Sequence, residues 1–218
     1  MHVVEEQEFC EKAEPAYSKV FDGNDVIGIS LSKKMTSRSF IYPVSSSIND
    51  AIPINFIIAA AREIGDNGCY FYRFWTNHGE PDYYYASFDD LLEYYDTSKI
   101  KSRNYIYYPI NQLPVAMYSE TGQWGTIINL ASRWGMLGGS EIFVNQIRQC
   151  FPKLDKRVFS FLYSFYVECN ADGSDYYTQV SYSIKSDLIY VYGETEANRI
   201  IKMSPQELLE NSGEDLLW

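Results

Sequence analysis

Histidine is almost missing from this chain: 218 residues include two, His2 and His78. Acid–base chemistry near neutral pH relies on histidine more than on any other side chain. His2 follows the first methionine, where chains fray. His78 stands in TNHGEPD with Glu80 and Asp82. Alternation would set those three on one side of an extended segment as metal ligands, but Gly79 and Pro81 make the stretch read as a turn. Cysteine is sparse too, at positions 10, 69, 150 and 169. None of the spacings is C-x-x-C, which excludes a zinc ribbon and a thioredoxin-type pair. No G-x-S-x-G elbow, P-loop, G-x-G-x-x-G or H-E-x-x-H occurs. LGGSE (137–141) could hold an anion at a helix start, but no lysine follows it, and a strand-to-helix turn through the glycines with Ser140 as the helix cap explains it better. The expectation is no catalytic residue, no metal and no cofactor.

Long apolar runs are missing as well. IPINFIIAAA, the longest, falls far short of a membrane span. MHVVEEQEFCEK is acidic and lacks the apolar core of a signal peptide. A reduced, cytoplasmic location is the simplest expectation. Basic residues are in deficit, 18 against 29 acids, for a net charge of −11. Binding DNA or RNA rests on neutralising phosphates, so nucleic acid is disfavoured as a direct ligand, and anionic membranes with it. A basic protein partner is permitted, because complementary fields speed encounter. Excess acid also simply keeps a chain soluble.

Aromatic residues are plentiful at 17%, with 20 Tyr and 12 Phe, and hydrophobic residues make up 46%. Disordered chains are poor in such residues, so this one can bury a core. The acid is patchy. Residues 1–14 carry five acids and one lysine (−4), residues 80–96 six acids (−6), and residues 203–218 four acids (−4). These total −14, leaving +3 for the rest, and 97–157 alone is +5 from eight bases and three acids.

No repeat or low-complexity linker divides the chain. One globular domain over 1–218 is expected, with residues 1–22 the segment most open to loose attachment. Residues 4–20 read as a helix interrupted by Pro15. DVIGISLS (25–32) and RSFIYPV (38–44) read as strands. Residues 50–65 form a helix capped by Asp50, with Pro53 in the first turn and Gly65 at the end. CYFYRFW (69–75), NYIYY (104–108) and VAMYSE (115–120) are strand candidates. WGTIINL (124–130) and RWGML (133–137) form a hairpin, and a helix follows from Ser140. Trp124 and Trp134 each precede a glycine; either could line a groove, though tryptophan on a strand is usually core. Residues 156–169 match both periods, and their length favours helix. NADGSDYY (170–177) reads as a surface turn and DLIYVYG (187–193) as a strand. SPQELLENSG (204–213) has a full helix start signal, with Ser204 as cap and Glu207 closing a capping box. The fold class expected is α+β, a mostly antiparallel sheet with several packed helices.

EPDYYYASFDDLLEYYD (80–96) holds five tyrosines and six acids without a base. PDYYYA (81–86) reads as a short strand or an extended entry to a helix. Ser87 caps a helix and Asp90 completes the capping box. Phe88, Leu91, Leu92 and Tyr95 then share one apolar stripe, leaving Asp89, Asp90, Glu93 and Asp96 outward. The candidate partner-binding residues are Asp82, Tyr84, Asp89, Asp90, Glu93, Tyr94 and Asp96.

SFDDLLEYYD and WGTIINLASRWGMLGGSEIFVNQI together resemble patterns in the immunity proteins of bacterial polymorphic toxin systems, with the SMI1/KNR4-like proteins as a related group. The second stretch matches as a Trp-Gly strand, a turn, a strand ending in Leu-Gly-Gly, and a helix with Phe near its start. The resemblance covers roughly a fifth of the chain. It implies a non-enzymatic cytosolic protein that binds and blocks a toxin domain; where that toxin is a basic nuclease, carboxylates would occupy the groove meant for phosphates. Two other functions stay open: an enzyme with a cryptic carboxylate-based site, and a regulatory or scaffold module of a larger complex.

Overall fold

The computed structural model describes residues 1–22, 30–44, 48–73, 83–95, 115–129 and 133–213. In chain order its strands are β1 (His2–Val3), β2 (Phe21–Asp22), β3 (Ser30–Leu31), β4 (Ser37–Ile41), β5 (Gly68–Arg73), β6 (Tyr83–Ser87), β7 (Val115–Ser119), β8 (Trp124–Asn129) and β9 (Trp134–Gly139). Its helices are α1 (Glu6–Glu8), α2 (Glu14–Val20), α3 (Ile48–Ala51), α4 (Ile54–Glu63), α5 (Phe88–Tyr95), α6 (Glu141–Cys150), α7 (Arg157–Asp172), α8 (Tyr176–Ser183), α9 (Lys185–Tyr192), α10 (Glu194–Ile201) and α11 (Pro205–Ser212). Seven strands make one antiparallel sheet in the order β1-β6-β5-β7-β8-β9-β4, and β2 and β3 pair separately. The fold is α+β.

Alternation along the strands sorts the aromatic residues onto two faces. Cys69, Phe71, Met117, Trp124 and Leu137 join the core under α4, α5 and α6. Tyr70, Ala116, Tyr118 and Met136 face the other way, onto Ala13, Ala16, Tyr17 and Val20 of the N-terminal helix. A third core lies at the β4 end, where Phe40 meets Val158, Phe161 and Leu162 of α7 and the helices beyond it. Edge strand β4 is thereby covered: Arg38 lies 4.4 Å over the Tyr190 ring of α9. Among the described residues no helix is long and apolar enough to cross a membrane.

Several expectations hold. β8 and β9 form the hairpin, registered from Trp124↔Gly139 to Asn129↔Trp134. Ser140 caps α6, its Oγ accepting from the Phe143 N–H at 3.3 Å. Gly138 and Gly139 lie within β9, where the lack of a side chain lets α6 sit close: a Cβ on Gly139 would come 2.8 Å from the Phe143 ring and 3.0 Å from Trp124 Cβ. Residues 157–172 are helical, ended by Gly173 at φ 77°. At α11 both arms of the Ser204/Glu207 capping box are present. NYIYY (104–108) and most of DVIGISLS lie outside the described residues.

Four expectations are corrected. Pro15 does not interrupt the N-terminal helix. Residues Phe9–Ala13 form a π turn between α1 and α2, with the Glu14 N–H reaching back to the Phe9 carbonyl. Proline cannot donate to the carbonyl four residues earlier and clashes with it, and the widened turn absorbs both defects. Asp50 is not the cap of the next helix. It lies in α3, Pro53 stands at the N-cap of α4, and Asn49 Oδ1 accepts the Ile54 N–H at 2.8 Å. Proline disfavours helical geometry in the residue before it, so the helix restarts beyond Pro53. Residues 187–192 belong to helix α9, not a strand. Their β-branched and aromatic residues favour a strand locally, but Leu188 is buried among Val180, Ile184, Ala197 and Ile200 of neighbouring helical segments. Finally, the turn expected over 170–177 is shorter. Asn170–Asp172 close α7, and Asp175 caps α8 by accepting the Thr178 N–H at 2.8 Å.

Candidate partner-binding face

β6 runs directly into α5, and the switch of period from two to 3.6 happens at Ser87. Ser87 Oγ accepts the Asp90 N–H at 3.2 Å and donates to Asp90 Oδ2 at 2.8 Å. Phe88 and Leu91 are buried, and Leu92 and Tyr95 pack against the same core. Each fully buried side chain of this size contributes ~2 kcal/mol. The acidic face of α5 therefore points outward because the opposite stripe is anchored.

The predicted residues are placed as follows. Asp89 is highly exposed and pairs with Arg62 Nη2 of α4 at 2.8 Å; the Arg62 guanidinium also lies 6.0 Å from the Phe88 ring centre. Asp90 Oδ2 accepts from the Met1 ammonium at 2.8 Å. That ammonium, and then the hydrogen bonds from Ser87, hold the Asp90 carboxyl below its ordinary range. Glu93 is exposed on the same helix. Tyr94 is half-buried with its ring edge-on to Tyr95 at 4.9 Å. Tyr84 is half-buried on β6, paired with Val3 and Phe71 in register and packed against the core beneath α5. Asp82 and Asp96 lie outside the described residues, as does His78 with its proposed ligand partners.

Pairing of β1 with β6 brings the start of a second acidic segment to the edge beside this helix. His2 registers with Tyr85 and Val3 with Tyr84, so the first residues lie on the sheet edge next to α5, and the helix that follows crosses onto the opposite face. On the far side of that edge is an open cleft of about 540 Å³ between the N-terminal helix and the sheet. Glu8 and Glu11 line it from the helix and Glu120 from the β7–β8 turn, with Tyr70 and Tyr85 as its floor and Lys12 and Lys19 at its rim. His2 Nε2 lies 2.8 Å from Glu8 Oε2, Tyr70 donates to Glu8 at 3.5 Å, and Tyr85 donates to Glu120 at 3.0 Å. Burial and then the charges of Glu8 and Glu120 push the Tyr70 phenol up to about 12, so it stays a neutral donor. The described part of the third acidic stretch goes elsewhere: α11 packs on α7.

Asp66 fixes the turns next to this cleft. It is a buried carboxylate that accepts from Ser119 Oγ at 2.7 Å, Thr121 Oγ1 at 2.8 Å and Trp124 Nε1 at 2.8 Å. The neighbouring Asn67 N–H donates to Glu120 Oε1 at 2.7 Å. The α4–β5 turn is thus tied to the β7–β8 turn, and Glu120 is held in the cleft wall. Nothing local marks Asp66 for this, since its partners lie 53 to 58 residues away. Among the described residues no group of three metal-ligating side chains comes together. Comparison with protein-family models, with curated proteins and with solved structures yields no match for this chain.

Proposed function

We propose that this protein is a non-enzymatic binding module whose acidic sheet edge receives a basic protein domain. The observation that carries this reading is the exposed acidic face of α5, Asp89, Asp90 and Glu93, beside the sheet edge where β1 pairs with β6, with Glu8 and Glu11 of the N-terminal helix lining the cleft on the opposite face. Carboxylates spread over two sides of an edge suit a broad, positively charged surface better than a small substrate. They would steer encounter and fix orientation, and their contribution would fall as salt rises. Tyr94 and Tyr85 add half-buried rings of the kind that anchor interfaces.

The finer reading, that the partner is a toxin domain and this chain its cytoplasmic immunity protein, rests on the resemblance of SFDDLLEYYD, whose residues 88–95 form α5, and of the stretch that contains β8, β9 and α6. Its test is direct. The products of genes adjacent to this one in the source genome are expressed and titrated against the protein by calorimetry. Submicromolar binding to a basic domain, together with loss of that domain's toxicity, supports the reading. Absence of affinity for every adjacent product rules it out.

A further inference from the structure

The opposite end of the sheet holds an open groove of about 500 Å³, within the size range of small-ligand sites. It lies where β4 and β9 meet α7 and the α8–α9 junction, away from the acidic edge. Its walls are aromatic and fixed. Trp134 stacks on Phe40 at 5.3 Å, Phe161 packs on Phe40 at 5.1 Å and edge-on to Tyr42 at 5.3 Å, and Phe165 stacks on Phe161 at 5.8 Å. Two opposite charges also line it, Arg133 and Glu168. Among the described residues no ion pair joins them to each other or to a third group.

Arg133 carries a second, independent signal. It is the one described non-glycine residue with positive φ, at 57°. That position ends the β8–β9 loop, where glycine or asparagine adopts the left-handed conformation with little strain and arginine does not. Its carbonyl is pinned there by the Val44 N–H at 2.8 Å. Non-glycine residues held in this region persist where the surrounding structure over-determines them, and they cluster at functional sites, ligand clamps among them.

We infer that this groove binds a small zwitterion of dipeptide size with aromatic or large aliphatic side chains. Arg133 receives its carboxylate, Glu168 its ammonium, and the Trp134–Phe161–Phe165 wall its side chains. An anion alone would face Glu168 and a cation alone would face Arg133; a ligand carrying both charges satisfies both. The inference stands on residues separate from the acidic edge, so it survives or fails independently of the partner-binding proposal.

The test titrates the full chain with the dipeptide Phe-Leu, its N-acetyl form and its C-terminal amide, following binding by calorimetry. Phe-Leu is expected to bind saturably, and each capped form at least 10-fold more weakly. Arg133→Gly should raise the melting temperature by ~2–4 °C and erase the preference for the acid over the amide. Glu168→Gln should erase the preference for the free amine over the acetylated form. Absence of saturable binding overturns the inference. So does equal binding of all three peptides, or discrimination that both variants leave unchanged.

Discussion

Replacing Asp66 by alanine removes the acceptor on which three donors converge, the buried Ser119 Oγ and Trp124 Nε1 and the more exposed Thr121 Oγ1. Asp66 is 1% exposed and the Trp124 side chain fully buried, so water cannot replace the lost partner without opening the fold. A hydrogen bond to an ionised group is worth about 1.5–3 kcal/mol, and an orphaned buried donor costs about 1–3 kcal/mol. Three such bonds do not add, because they share one carboxylate. The hydroxyls of Ser119 and Thr121, 2.9 Å apart, can also turn toward each other. The Trp124 indole has no such alternative. Asp66→Ala is therefore expected to cost ~4 kcal/mol, near the value for breaking a buried charged network. Asp66→Asn keeps one oxygen for Ser119 and Trp124 and an amide for Thr121, so it should cost ~2 kcal/mol. The assay is urea unfolding followed by far-ultraviolet circular dichroism, with the m-value checked for constancy. A cost below 1 kcal/mol for Asp66→Ala would refute the view that this carboxylate ties the two turns together.

Three further outcomes are expected. Burial pushes the Asp187 carboxyl up to about 6, against an ordinary 3.8. Its penalty is absent below pH 3.8, where both states are protonated, and complete above pH 6; Asp187→Asn should stabilise the protein by ~2 kcal/mol at pH 8 and by nothing at pH 3.5, read from denaturant midpoints. Gly139→Ala puts a methyl against Phe143 and Trp124 and should cost ~1–3 kcal/mol, with a disturbed near-ultraviolet dichroism signal from the stacked Trp124–Phe143 pair. Ser204→Ala removes the cap that accepts the Glu207 N–H at 3.3 Å and should cost ~1 kcal/mol, measurable as a lower melting temperature.

What could be read in the sequence was what is decided within a few residues. The α5 stripe and its Ser87 cap, the Ser140 cap and the Ser204/Glu207 box follow from spacings of three and four, and all stand in the structure. The Trp-Gly hairpin followed from two short runs close together in the chain. What could not be read depends on distant contacts. The β1–β6 pairing joins residues 83 and 81 positions apart (His2↔Tyr85, Val3↔Tyr84), and only two residues of β1 take part, too few for an alternating pattern. In α9, Leu188-Ile189-Tyr190-Val191-Tyr192 has side chains that favour a strand locally, while the helices around it decide its state. Trp124 and Trp134 look alike in sequence, each before a glycine. Register turns the first into the α6-side core and leaves the second half-exposed in the groove wall.

The claim that the acidic edge is the partner-binding surface is tested most directly by the salt dependence of one dissociation constant. A basic partner domain found among the adjacent gene products is titrated from 50 mM to 500 mM salt against the native chain and against Asp89→Lys/Glu93→Lys. Both positions are exposed, and an exposed ion pair such as Asp89–Arg62 contributes at most ~1 kcal/mol, so the variant should remain folded. The account predicts affinity at least 10-fold weaker in the variant at low salt, converging with the native chain as screening rises. Equal affinities and equal salt slopes for the two proteins would contradict it.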